Sequence, residues 1–398
     1  MNVLHLNTFP AGGSFEYARM LSDALRELGI NSTLLTIEGV DRPWLRALAT
    51  RLVRRIAVAQ SKEAWHDGLR FLPAPTVSML ESVDIVHLHV INDWFNVPHW
   101  MRHLPSNVRV VISLHDLWHV SGGCFVYQEC EGFTSNCRKC PALEAPARWL
   151  WAHRELKWKE VQYGQKQVRF IANSEWLKNL AMKSVVTKAC GSVDVVHPGI
   201  DTEVFRPRNM RECRKSLQLP ENAFIISTVC AAVTDPYKNV EPLLKWIARS
   251  PTLKRSLVLV VGDGRVAVPD MLNVRFRGKV YDRETMACLL GSSDVLVSAS
   301  RMETYGLSLV EAMACGTPVV AFRVGGIPEA APHNEGALLC EPENGAELID
   351  AIERLHENQD LRESLGRRGR QLAMERNSPA AFANAVARIY EKAMQRVM

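Results

Sequence analysis

Short apolar runs recur along this chain, each closed by a glycine or polar loop and followed by a stretch with helical spacing. They fall at residues 1–6, 31–37, 83–89, 108–114, 169–174 and 192–196, and again at 223–229, 257–261, 274–280 and 295–297. Runs this short fit strands buried on both faces, and strands that alternate with helices give parallel sheets covered on both sides. The fold class expected is therefore α/β, as two Rossmann-like domains. The length, 398 residues, suits two such units. The series divides near residue 196, ahead of the turn His197-Pro198-Gly199-Ile200. We expect one domain over 1–195, a second over 196–376, and a helix over 377–398. That helix carries Phe382, Val386, Ile389 and Tyr390 on one stripe and can cross back to the first domain.

In open parallel sheets, ligands bind beyond the carboxyl ends of the strands, so the loops there are where chemistry is sought. After the run at 295–297 the chain reads Ser298-Ala299-Ser300-Arg301-Met302-Glu303-Thr304-Tyr305-Gly306-Leu307, and a helix with Glu311 follows. Glu303 falls in the loop, nearest the reacting atoms of a bound ligand. Glu311 falls one or two turns into the helix, where it can bond a sugar hydroxyl. The first free amides of that helix, around Tyr305, Gly306 and Leu307, can hold a phosphate by hydrogen bonds and dipole. Lys238 sits in another strand-to-helix loop, where an ammonium neutralises a diphosphate. Gly12 and Gly13 follow the first strand and let the backbone approach a diphosphate or sugar closely. His115-Asp116 ends the run at 108–114, and His89 ends the run at 83–89. A histidine at a strand's end can point into a cleft, or it can be structural.

Cys124, Cys130, Cys137 and Cys140 follow, spaced C-x5-C-x6-C-x2-C within a segment at 121–141. They can hold a structural zinc. Free thiols or disulfides are the other readings. Trp44, Leu45, Leu48, Leu52 and Ile56 share a helical face flanked by Arg46, Arg51, Arg54 and Arg55. That pattern suits an inner-membrane surface or a helix packed on its own domain. No recognised nucleic-acid motif accompanies the arginines, so nucleic acid is not an expected partner. A net charge of +5 leans weakly toward anionic ligands. The first strand is too short for a secretory h-region and no uncharged run approaches a span. The expected location is cytoplasmic, or peripheral on the inner face of the membrane.

The stretch from Glu303 to Glu311, continued by Gly316-Thr317-Pro318-Val319-Val320-Ala321 and Gly325-Gly326-Ile327-Pro328-Glu329, resembles the E-x7-E signature of the retaining glycosyltransferases of family 4. The segment around the cysteines resembles an insert in exopolysaccharide and colanic-acid-type members. The resemblance implies the GT-B arrangement, two Rossmann-like domains facing across a cleft. It implies a nucleotide-sugar donor, a glycan or lipid-linked glycan acceptor, and no cofactor or metal for catalysis. Gly12-Gly13 would close over the donor, and His115 would contact the donor sugar or the acceptor. The backbone after Gly278, at Val280, would read the base. The family's arginine five residues before the lysine is replaced by Val233, which leaves Arg301 and Arg265 as candidate substitutes. A nucleotide-sugar epimerase or hydrolase of the same fold, or a non-catalytic sugar-nucleotide-binding subunit, are the alternatives.

Overall fold

The computed structural model describes residues 1–37, 80–92, 94–127, 129–143 and 146–395. The basic amphipathic stretch around Trp44 and Arg54 lies outside these residues. The chain forms two compact units, one of Met1–Val196 with Phe382–Met398, the other of His197–Ala381. Each holds a six-stranded sheet whose strand pairs are all parallel.

In the first unit the strands are β1 (Asn2–Asn7), β2 (Asn31–Thr36), β3 (Ile85–Leu88), β4 (Arg109–Leu114), β5 (Arg169–Ala172) and β6 (Val193–Val195), in the spatial order β2-β1-β3-β4-β5-β6. Alternation along each strand splits its side chains between the two faces. Val3, Ile85, Val111 and Ile171 pack on α1 (Gly13–Glu27), while Leu4, Leu6, Val86, Leu88, Val110 and Ile112 face the other layer. The face with α1 also receives the last helix, Pro379–Met394, through Phe382, Val386, Ile389 and Tyr390.

In the second unit the strands are β7 (Ile225–Ala232), β8 (Leu257–Asp263), β9 (Asn273–Gly278), β10 (Val295–Ser298), β11 (Val319–Phe322) and β12 (Ala337–Cys340), in the order β12-β11-β10-β7-β8-β9. Strand β8 reads Leu-Val-Leu-Val-Val and is buried throughout that run, as a central parallel strand must be. Val258 and Val260 join one core layer, and Leu257, Leu259 and Val261 the opposite one.

Both orders reverse direction once. In the second sheet the chain winds outward from β7 through β8 and β9, then returns to the other side of β7 with β10. The reversal between β7 and β10 opens a crevice at their carboxyl ends, because the helices that follow depart to opposite sides. In the first sheet the same reversal falls between β1 and β3.

Candidate functional site

Lys238 and Glu303 lie on the two loops that leave the reversal of the second sheet. The β7 loop turns at Asp235, whose carboxylate accepts from the Tyr237 amide at 2.9 Å. Asn239 then takes a left-handed backbone, φ 57°, and starts the helix Val240–Arg249. That turn aims Lys238 at the neighbouring loop, where its Nζ donates to Glu303 Oε1 at 2.5 Å. The Ser300 hydroxyl donates to the same oxygen at 3.1 Å. Both side chains keep about a fifth to a quarter of their surface exposed, 24% and 21%, so a ligand can reach the pair. Burial pulls the Lys238 ammonium down, but the Glu303 carboxylate together with Asp235 and Cys230 outweighs it and the net shift is upward, which keeps the lysine charged.

The Glu303 backbone is held as firmly as its side chain. Gly326 donates its amide to the Glu303 carbonyl at 2.9 Å. Gly325 packs so closely there that a Cβ would sit 1.9 Å from that carbonyl oxygen, at φ 56°. The Gly-Gly pair is therefore a seat for the Glu303 loop. Gly306, φ 100°, turns the chain into the helix Leu307–Ala314, and Glu311 lies half-buried on its second turn. The Tyr305 side chain is packed inside the unit. Its ring is 2% exposed, its hydroxyl accepts from Asn377 at 2.8 Å, and it lies 5.3 Å from the His197 ring. Gly278, φ 66°, ends β9, two strands from β7 in the sheet.

Val233 points into the core at 1% exposure. Its Cγ2 lies 3.2 Å from where a Gly262 Cβ would stand, so a longer cationic side chain has no room in this packing. Of the two proposed substitutes, Arg301 is bound to Glu343 at 2.7 Å, and Arg265 lies over the Phe276 ring at 5.6 Å. Arg301 also ties the two loops, because its amide donates to the Tyr237 carbonyl at 2.8 Å.

The first unit presents its own constellation at the same edge of its sheet. Gly12, φ 98°, is exposed with open space around it, and Gly13 begins α1. His5 on β1 is the register partner of His87 on β3, and His89 and His115 stand just beyond β3 and β4. His5 Nδ1 meets His89 Nε2 at 3.0 Å, and His89 Nδ1 meets His115 Nε2 at 3.1 Å. The Tyr17 ring closes on His115 edge-on at 4.7 Å. His87 is fixed by Tyr390 at 2.6 Å and by Ser113 at 2.8 Å, and Tyr17 also meets Ser113 at 3.1 Å. Desolvation lowers all these histidines, His5 to about 3 and His115 to about 4, so each is neutral at pH 7.

A row of neutral imidazoles has only two proton orders, because each ring donates from one nitrogen and accepts at the other. His5 Nε2 is buried without a partner. An orphaned N–H is costlier than an orphaned acceptor, which favours Nδ1–H on His5. Each following ring then donates from Nδ1, and His115 carries its proton on Nδ1. Asp116 is pushed up to about 6 by burial, while the Trp118 amide, donating at 2.7 Å, and Lys159 oppose that. It shapes the turn into Trp118–Val120 beside His115. His5 and His87 were not singled out from the sequence. Their signal was a histidine inside an otherwise apolar strand.

Comparisons with known proteins cover both halves of the chain. Residues 11–204 match the model described as Glycosyltransferase Family 4, and residues 209–372 match Glycosyl transferases group 1. Both halves of the chain are glycosyltransferase domains. The group 1 half carries the Lys238–Glu303 pair, and the family 4 half carries the histidine row. The D-inositol 3-phosphate glycosyltransferase of Mycobacterium tuberculosis H37Rv is 33% identical over 194 residues, 46% of this chain and 38% of that protein. The match thus spans well under half the length of the curated relative. Among solved structures, sucrose-phosphate synthase from Thermosynechococcus elongatus aligns over 100% of both chains with a TM-score of 0.71 at 19% identity. Anabaena HepE in complex with UDP-glucose aligns over 98% of this chain and 100% of its own, with a TM-score of 0.63 at 18% identity. At these identities the likeness establishes the shared fold. Among the described residues, no helix is long and apolar enough to cross a membrane.

Proposed function

We propose that this glycosyltransferase retains anomeric configuration as it moves a sugar from a nucleotide-sugar donor to a hydroxyl of a glycan or lipid-linked glycan used in cell-surface polysaccharide. The observation that carries the reading is the Lys238–Glu303 pair on the two loops at the strand reversal. A diphosphate leaving from the sugar's anomeric carbon develops negative charge, and a fixed ammonium beside helix amides stabilises it most as the bond breaks. HepE, of like fold, was solved with UDP-glucose, which favours a nucleotide donor here.

In this reading Lys238 and the amides opening Leu307–Ala314 take the diphosphate. Glu311 bonds the ribose, and the backbone at Gly278 and Val280 meets the base. Glu303 accepts from a sugar hydroxyl beside the reacting carbon, held in place by Lys238, Ser300 and Gly326. Gly12 and Gly13 cover the donor, and Asp116 holds the turn that orients His115. Neutral His115 gives a directed hydrogen bond to a sugar oxygen without adding charge. The anomeric carbon–diphosphate bond breaks as the acceptor oxygen attacks from the same face, and the acceptor's proton passes to a departing phosphate oxygen. The chemistry asks for no protein base and no metal.

A thermal-shift screen of nucleotide sugars tests the donor class, since a ligand that binds only the folded state stabilises it. Candidates that shift the wild type should shift Lys238→Ala less. Incubation with such a donor and glycan acceptors, read by mass spectrometry and by NMR of the new anomeric centre, tests transfer and retention. A chain stabilised by no nucleotide sugar would sink the proposal, and an inverted product would remove the retaining step.

A further inference from the structure

We propose that Cys124, Cys130, Cys137 and Cys140 bind one structural zinc ion. All four line a single cavity of about 20 Å³, walled by apolar side chains such as Leu117 and Phe133, and all are free thiols. Backbone amides meet several of these sulfurs. The Gly132 amide donates to Cys130 Sγ at 3.4 Å. The Gly122 amide bonds Cys137, and the amides of Ala142 and Leu143 bond Cys140. Cys124 and Cys140 share a hydrogen bond between their side chains. Four sulfurs facing one small cavity make up the donor set of a tetrathiolate zinc site, the protons leaving as the metal binds.

The glycines of the segment let the backbone lie close against the cysteines. A Cβ on Gly132 would meet Cys130 Sγ at 3.4 Å and Cys137 Sγ at 3.6 Å, so this one residue sits against both sulfurs. A Cβ on Gly122 would stand 3.0 Å from that of Cys137 and 2.5 Å from the Ala152 carbonyl. Cys137 itself is left-handed, φ 49°, a conformation a cysteine keeps only when its surroundings demand it. Nearby, the buried Lys159 ammonium donates to the carbonyls of Trp118 and Ser121 and lies in the field of Cys124 and Cys137. A zinc held by four thiolates carries a net charge of −2, and this ammonium offsets part of it.

Among the described residues, the donor trio lying within 4.8 Å of one another is His5, His87 and His89. Those nitrogens are spent on one another and on Ser113, Tyr390 and His115, with His5 Nε2 the exception. Imidazoles that already satisfy each other gain little from a metal. The thiol ring is wider than that trio, and zinc–sulfur bonds of about 2.3 Å would draw it inward. Four sulfur donors select zinc over the hard cations, which take oxygen.

Full-length protein purified without chelator should contain about one zinc per chain by elemental analysis. In the folded protein four of the ten cysteines should resist a thiol reagent until a chelator is added. Cobalt(II) loading should give thiolate-to-metal charge transfer and tetrahedral ligand-field bands. Cys137→Ser should lose the zinc, and Cys190→Ser, at a buried thiol outside the ring, should keep it. If Cys137→Ser fails to fold, the wild-type metal content and the chelator-dependent thiol count still decide the matter. Metal far below stoichiometry, stoichiometric iron, or mass-spectrometric disulfides among the four would each overturn the proposal.

Discussion

Gly325→Ala should loosen the Glu303 loop without touching any charged group. The added methyl would sit 1.9 Å from the Glu303 carbonyl oxygen, far inside contact, so that backbone must shift. The shift breaks the Gly326 amide bond to the same carbonyl, now 2.9 Å, and such a bond contributes about 0.5–1.5 kcal/mol. An alanine at φ 56° adds roughly 1–2 kcal/mol of left-handed strain. The mutant's stiffer unfolded chain returns about 0.4–1 kcal/mol. The net loss is about 0.5–3 kcal/mol, up to several degrees of melting temperature for a domain of this size. Gly278→Ala is the matched control, with positive φ in the same unit but open space around its Cβ. It should show the strain without the clash. Hydrogen exchange read segment by segment separates the second unit from the first. The segment spanning Glu303 should exchange faster in Gly325→Ala and donor affinity should fall. If both variants cost the same and the Glu303 segment keeps its protection, the seat argument is wrong.

Four further outcomes are expected. Lys238→Ala and Glu311→Gln should each weaken donor binding by about 1.5–3 kcal/mol, which calorimetry reads as roughly ten- to a hundredfold in affinity; unchanged affinity in both would remove them from the site. Glu303→Ala and His115→Ala should lose transfer while circular dichroism shows an intact fold, and near-normal turnover would exclude the residue concerned. In the first unit His5 and His119 have folded pKa values near 3, well under the unfolded value of about 6.5, so the unfolded chain binds more protons between these limits. Stability should therefore fall as pH drops below about 6.5, by at most ~1.4 kcal/mol per pH unit for each such histidine, while Asp116, raised to about 6, acts in the opposite sense between ~6 and ~4; a urea midpoint flat from pH 7 to 5 would contradict this. Nitrogen-15 NMR should find His115 protonated on Nδ1, and a proton on Nε2 would reverse the derived order of the histidine row.

Several residues show why local pattern reached some features and missed others. The loops bearing Lys238, Glu303 and His115 were legible because each follows a buried strand. The stripe of Phe382, Val386, Ile389 and Tyr390 was legible as one helical face. Nothing local told that the Tyr390 hydroxyl would meet a histidine 303 positions earlier in the chain. Tyr305 read as an amide donor at a helix start, and nothing local told that Asn377, 72 positions away, would donate to its hydroxyl. Val233 read as a missing cation, and the packing against Gly262 shows an inward-facing side chain instead.

By itself the sequence determined the alternation of strand and helix, hence parallel sheets, and the chemistry carried by each strand-end loop. Those follow from periodicity and glycine placement, which act over a few residues. The tertiary structure alone decided which loops meet. Lys238 reaches Glu303 across 65 positions because β10 inserts beside β7, and His5, His89 and His115 align because β1, β3 and β4 are neighbours. Strand order is set by how the whole chain buries its sheet faces, a sum over distant contacts that no window of sequence contains.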